Sequence, residues 1–479
     1  MSSIKKLIVS ASFVSIYCLI LIPLSSMARA AWEPPAELSR AECIKISDTI
    51  LGRPDIKFKQ QEDVFRIKVV EMDWDMGVMV YQPEDVTKIP KGADGKKVGF
   101  FIMHGGSGDW RAMEKLARLL TGKYGYKVVS MTYPGRLYLQ DHKRNWPADT
   151  YNADGTVRIS IWKKDELITP DQYEVVKDIS MRERYGTRIV ARAKPGTVFY
   201  DRMAGWPIAF EEGMKEACKR HFPVEEYSIY ANGHSTGGPI IHMLLQRVPN
   251  IVGMTDAEGS PFGYINEKKH AWSGAIGKIG DLKGDEEENK PRTDPFNELY
   301  IRSWRDKARY QGPEALGQEG PKALMRLPML MEEVFEEWDK TKNQPNFKAE
   351  YLITHNIVKS LAEGARATAK RLNLSPQETE RLVNRYTGYV RELSGPDIKP
   401  IPPILYNITK DSRDHSPEVY KEVILPFFAA MHPAPKVRLI RYGAGIHGYT
   451  AREEGLPLGI APAVTKIWYD AIMNGYFMK

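Results

Sequence analysis

The chain has 479 residues, with 68 Lys and Arg against 61 Asp and Glu, and 42% of its residues are hydrophobic. That length accommodates an α/β domain with insertions, and the apolar content supports a sizeable core. A net charge of +7 without any basic run excludes a nucleic-acid footprint, and three cysteines define neither a disulfide framework nor a metal-binding spacing.

Lys5 and Lys6 precede an apolar run from Leu7 to Leu24, followed by Ala28-Arg29-Ala30. This three-part pattern predicts a secretory signal peptide over residues 1–30, with an uncleaved N-terminal anchor as the rival because the run just reaches spanning length. Cleavage would remove Lys5, Lys6, Arg29 and Cys18, leaving 65 basic residues against 61 acidic, a net +4. Cys43 and Cys218 would then form either one buried disulfide or two inert buried thiols.

In the mature region, residues 31–479, Val64–Val70 and Val78–Tyr81 read as paired strands. Lys97–Met103 is a continuous apolar run, as in a strand buried on both faces. A helix over Trp110–Leu120 and a strand over Lys127–Thr132 follow. Residues 137–199 are polar and irregular, an insertion that the pattern does not place. Asp201–His221 reads as a helix, Tyr227–Asn232 as a strand ending in a turn former, and Ile251–Thr255 as a buried strand.

From about 260 to 400 the strand rhythm disappears, and helices are predicted near Lys322–Lys340, Lys348–Leu372 and Pro376–Leu393. The last opens on Ser375-Pro376-Gln377-Glu378, a capping box with proline at the first helical position. Trp272, Trp304, Phe335 and Trp338 in this block would line an apolar pocket or simply pack helices. Strands return at Pro403–Ile408 and Lys436–Arg441, with helices around Glu418–Met431 and Ala461–Met473. Strand–helix alternation predicts a mostly parallel central sheet flanked by helices, with a large helical cap inserted late in the sheet.

Gly233-His234-Ser235-Thr236-Gly237 carries the chemistry. Chance supplies a bare G-x-S-x-G about 0.2 times in a chain of this composition, but here a strand precedes it and an apolar helical stretch follows, the frame of a nucleophile elbow. Serine needs a positioned base, and His447 in the loop Gly443-Ala444-Gly445-Ile446-His447-Gly448 is the candidate. The orienting acid is Glu258, in a tight turn 23 residues after Ser235, or Asp411; Asp414 is a third candidate. Backbone amides of Gly105 or Gly106 in His104-Gly105-Gly106, together with that of Thr236, would form an oxyanion hole. The same loop contains no G-K-[ST] and no G-x-G-x-x-G, and no metal or cofactor constellation emerges.

Elbow, H-G-G loop and late G-x-H-G, in this order, resemble the α/β-hydrolase superfamily over most of residues 60–479. A glutamate after the strand that follows the elbow looks like a subset of secreted bacterial esterases. The resemblance implies an α/β-hydrolase fold and an exported, periplasmic or secreted serine hydrolase of carboxylic esters. Ser235, His447 and Glu258 would be its triad and a small-molecule ester its substrate, with no nucleic-acid or membrane partner beyond the N-terminal segment. Amidase, peptidase or lactonase chemistry would use the same residues, and a non-catalytic binding protein would be expected to have lost them.

Overall fold

In the computed structural model, the described residues are 36–69, 72–105, 110–134, 150–151, 157–158, 173–179, 188–193, 198–234, 237–242, 244–257, 298–302, 338–339, 344–345, 365–366, 369–370, 373–391, 399–411, 425–429 and 433–478. The strands are β1 (Ala36–Leu38), β2 (Phe58–Val69), β3 (Met72–Pro83), β4 (Lys97–Met103), β5 (Lys127–Met131), β6 (Thr150–Tyr151), β7 (Val157–Arg158), β8 (Tyr173–Ile179), β9 (Arg188–Ala193), β10 (Tyr227–Gly233), β11 (Ile251–Ala257), β12 (Glu298–Arg302), β13 (Trp338–Asp339), β14 (Gln344–Pro345), β15 (Ile404–Ile408), β16 (Val437–Tyr442) and β17 (Pro457–Ile460). The helices are α1 (Arg40–Leu51), α2 (Glu114–Tyr124), α3 (Val198–His221), α4 (Gly237–His242), α5 (Pro376–Arg391), α6 (Leu425–Ala429) and α7 (Ala461–Met473).

Among the described residues, nine strands form one sheet in the order β1-β16-β15-β11-β10-β4-β5-β3-β2. From β1 to β5 across the sheet every pairing is parallel. Only the β2–β3 pair and its junction with β5 are antiparallel. β10 and β15 are buried along their whole length and β4 along all but Lys97, which is why β4 reads as a continuous apolar run rather than an alternating one.

Helices cover both faces. On one, Phe100 and Tyr230 from the sheet meet Trp468 of α7, with Phe100 ring centroids 5.7 Å from Tyr230 and 5.8 Å from Trp468. Trp468 is fully buried, and truncating it to alanine would cost about 3–5 kcal/mol. On the other face α3 lies close: a Cβ at Gly213 would sit 2.6 Å from Met76 Sδ. The fully buried carboxylate of Glu211 accepts from Arg247 Nε at 2.6 Å, tying α3 to the turn after α4. Removing one member of such a buried pair typically costs about 3–5 kcal/mol.

Several expectations change. The segment from 260 to 400 does contain strand: β12 pairs antiparallel with β9, which pairs with β8, so the two insertions share a three-stranded sheet. Polar, register-weak strands of this kind carry little period-2 signal, which is why the pattern missed them. The predicted helices at Lys322–Lys340 and Lys348–Leu372 lie almost wholly outside the described residues; within the first, Trp338 and Asp339 form β13 instead. The predicted α5 is present, and its box is made: the Glu378 amide donates to Ser375 Oγ at 3.3 Å and the Ser375 amide donates to Glu378 Oε2 at 2.9 Å. α1 was not foreseen, although Ser39-Arg40-Ala41-Glu42 forms the same box. Cys43 and Cys218 are both buried free thiols, so they do not pair; burial pushes the Cys43 thiol up to about 11.

Candidate active site

The parallel strands β4, β10, β11, β15 and β16 all end on one rim, and every described candidate residue is on it. β10 leads into the elbow. A Cβ at Gly233 would sit 2.5 Å from the Gly237 carbonyl oxygen, and one at Gly237 would sit 2.5 and 2.6 Å from the carbonyl oxygens of Met103 and His104. No side chain fits at either position, so the two glycines of the motif are required by backbone packed on backbone. The Gly237 amide donates to the His234 carbonyl at 2.8 Å, and the His234 amide donates to the Met103 carbonyl at 3.1 Å. The turn is thus closed on itself and docked onto the end of β4. Ser235 and Thr236, the residues between, lie outside the described residues, as do Gly106, Glu258 and Asp414.

Of the stretch His104-Gly105-Gly106, His104 and Gly105 are described and buried. His104 is locked: Nδ1 donates to the Gly105 carbonyl at 2.6 Å, and the ring stacks on Tyr133 with centroids 4.2 Å apart. The Tyr133 hydroxyl donates to the His104 carbonyl at 3.2 Å. That anchoring holds His104 beside the elbow.

His447 reaches the same place from the other end of the chain. Gly445 (φ +90°) and Gly448 (φ +105°) bracket Ile446-His447 in backbone conformations that favour glycine, folding the loop over the rim. The His447 and His234 rings meet with centroids 4.6 Å apart at 39°, so the predicted base stands beside the immediate neighbour of Ser235. Asp411 runs alongside this loop through its main chain: its amide donates to the Gly445 carbonyl at 3.1 Å, while the residue is exposed.

A buried polar cluster under the loop was not foreseen. Tyr449, two residues past His447 and itself at φ +48°, donates its hydroxyl to the Asp256 carbonyl at 2.9 Å and the Asn407 carbonyl at 3.3 Å. Asn407 Nδ2 donates to the Asp256 carbonyl, and Tyr442 donates to Asn407 Oδ1 at 2.9 Å. The histidine loop is thereby clamped to the ends of β11 and β15. A polar residue inside an apolar strand, Asn407 in Ile404–Ile408, is the signal that could have found it. Asn232, read as a turn former, lies inside β10, and its amide bonds the Thr255 carbonyl across to β11.

His242 is a structural histidine. Its Nδ1 donates to the Gly238 carbonyl at 2.6 Å, so Nε2 of the neutral ring accepts from the Tyr406 hydroxyl at 2.8 Å. Burial pushes it down to about 4. Burial, and then the Asp256 carboxylate, push the Tyr406 phenol well up. Among the described residues no group of three or more His, Cys, Asp or Glu could hold a metal ion, and no helix is long and apolar enough to cross a membrane.

No protein-family model matches the chain, and no curated protein matches it. Solved structures similar to it include a bacterial membrane phospholipase A (12% identity, 98% of this chain and 99% of that one, TM-score 0.30). A carboxylesterase from Bacillus subtilis is similar at 9% identity, over 91% of this chain and 97% of that one, with a TM-score of 0.31. An S-formylglutathione hydrolase from Agrobacterium tumefaciens is similar at 10% identity, over 88% and 100%, with a TM-score of 0.32. The mostly parallel sheet, the glycine-locked turn after β10 and the histidine loop after β16 give the chain the α/β-hydrolase fold.

Proposed function

We propose that this α/β-hydrolase is an exported serine hydrolase that cleaves carboxylic esters through an acyl-enzyme. The observation that carries the reading is the ring contact between His447 and His234 at 4.6 Å, on a turn whose glycines are sterically required. Ser235 attacks the ester carbonyl and His447 takes its proton. The negative charge that develops on the carbonyl oxygen is met by amides of the Gly105-Gly106 loop and of Thr236. His447 then returns the proton to the departing alkoxide, and finally activates water to release the acid.

Glu258 is the acid in this proposal, orienting His447 from the turn that follows β11. Tyr449 and Asn407 support that role, since they bind the end of β11 to the histidine loop. Asp411, exposed beside the same loop, is the competitor. Glu258→Gln is expected to lower kcat more than Asp411→Asn; the opposite order assigns the role to Asp411.

Labelling with a fluorophosphonate tests the whole reading. The expected result is one adduct on Ser235, absent in Ser235→Ala, together with turnover of simple esters. An unlabelled, folded wild-type protein overturns it. Turnover of amides or lactones in preference to esters would move the substrate class while keeping the residues. N-terminal sequencing of the exported protein tests removal of residues 1–30, with Ala31 expected as the first residue.

A further inference from the structure

The proposed mechanism leaves one titratable group at the elbow unused. His234 occupies the variable position of the motif, and its ring lies against that of His447, with centroids 4.6 Å apart and planes at 39°. The contact is fixed from both sides. The His234 amide is held by the Met103 carbonyl at 3.1 Å. On the other side the backbone approaches closely, since a Cβ at Gly448 would lie 3.6 Å from His234 Nε2. Both residues are half-buried.

We infer that His234 and His447 titrate as one coupled imidazole pair, and that only the doubly neutral pair activates Ser235. The inference rests on His447 being the base proposed above. Two like charges this close disfavour each other, commonly by about tenfold or more in the protonation equilibrium. A proton already on His234 therefore opposes the imidazolium that His447 must become when it takes the serine proton. His234 is in this sense a positioning residue with an electrostatic consequence: it buttresses the His447 ring and switches the site off when protonated.

The other charged and titratable groups around the pair come from each packed element. His104 at the end of β4 is buried and already donates to Gly105. Asp256 at the end of β11 is buried, its carbonyl taken by Tyr449. Lys410 and Asp411, beyond β15, are exposed and of opposite sign, and hold the histidine loop through their amides. A cation and an anion side by side in solvent largely offset one another. Glu258, the orienting acid proposed above, adds a negative charge that favours protonated His447, and the tilted His234 ring is the like-charge neighbour that opposes it.

The test is the pH dependence of the second-order rate of Ser235 labelling by a fluorophosphonate, measured on the full mature chain, on His234→Phe and on His234→Gln. The wild-type rate is expected to fall on the acid side in two steps about one unit or more apart, with a logarithmic slope of one that steepens towards two below the second. Both variants should fall with a slope of one and a midpoint displaced to lower pH by about 0.3 unit or more, the value for losing one of two equivalent sites. A wild-type profile whose midpoint and slope neither variant changes overturns the inference. Absence of wild-type labelling at any pH fails differently, because it removes the hydrolase reading itself. Independently of either variant, imidazole NMR titration of Ser235→Ala should give two coupled steps for His234 and His447; two independent single-proton curves also overturn it.

Discussion

The two rims of the central sheet hold similar residue types and put them to opposite uses. Where the strands begin, side chains close loops. Lys97 at the start of β4 pairs with Glu226 at 2.8 Å, and Lys127 at the start of β5 donates to the His221 carbonyl at 2.7 Å. His221 bonds Asp63 at 3.0 Å, and Asn250 donates to the carbonyls of Phe222 and Tyr227. Where the strands end, backbone packs on backbone at Gly233 and Gly237, and the polar side chains of Asn407 and Tyr449 serve to hold one loop in place. Burial pushes Lys127 and Lys399 down to about 8, and Lys399 donates to the Ile251 carbonyl at the start of β11. Strongly shifted lysines therefore sit where no reaction is proposed. A shifted titration does not by itself mark a functional site, because structural burial shifts it as well.

The comparison breaks most sharply at Ser235 and His447. Either one changed to alanine is expected to lower kcat by about 10⁴-fold or more, as for other members of a nucleophile–base unit, whereas no substitution at the strand starts should approach this. Steady-state ester hydrolysis on folded variants decides it. Gly237→Ala comes next. Its methyl would collide with two backbone carbonyls, so a loss of about 100-fold in kcat/KM is expected together with a lower Tm.

The His242 prediction concerns stability. Its folded value of about 4 lies below the ordinary 6.5. The unfolded chain therefore binds the extra proton between those pH values, and stability rises with pH across the window. The contribution is complete above about pH 6.5, is lost as pH falls towards 4, and amounts to about 3 kcal/mol. Denaturant titrations from pH 7 to about 4 should show that slope reduced in His242→Phe. The residual slope would come from groups such as His221, which burial also pushes down.

Tyr449→Phe sharpens the comparison more gently. It removes the hydroxyl that clamps the histidine loop, and should cost about 1–2 kcal/mol in stability and lower kcat about tenfold while leaving KM nearly unchanged. Smallest of all is Lys97→Ala at the strand starts, which opens an ion pair whose glutamate is more than half exposed. No measurable change in turnover is expected there, and a large one would show that the two rims are not functionally distinct.

Much of this was legible in the residues. Lys97–Met103 and Ala461–Met473 appear with the predicted bounds, because a doubly buried strand and an amphipathic last helix leave patterns set by local burial. The elbow was legible because its residues form one motif of five consecutive positions, although the steric demand on Gly237 comes from Met103 and His104. The strands shared by the two insertions were not, since β9 and β12 are more than 100 residues apart in the chain and meet only after folding. The Tyr449 clamp was equally hidden, joining three strand ends that sequence spacing does not relate. Glu258, Gly106 and Thr236 lie outside the described residues.

The sequence by itself determined the strand that feeds the elbow, the glycines the turn demands, the order of serine and histidine, and the capped helix at Pro376. Each is a local matter of backbone conformation, periodicity or a motif of a few residues. Only the tertiary structure decided which neighbours those residues would have. It set His447 against His234, bound the histidine loop to β11 and β15, and kept the two cysteines apart as buried thiols. Contacts between residues hundreds of positions apart are fixed by how strands stack in the sheet, and no local pattern encodes that order.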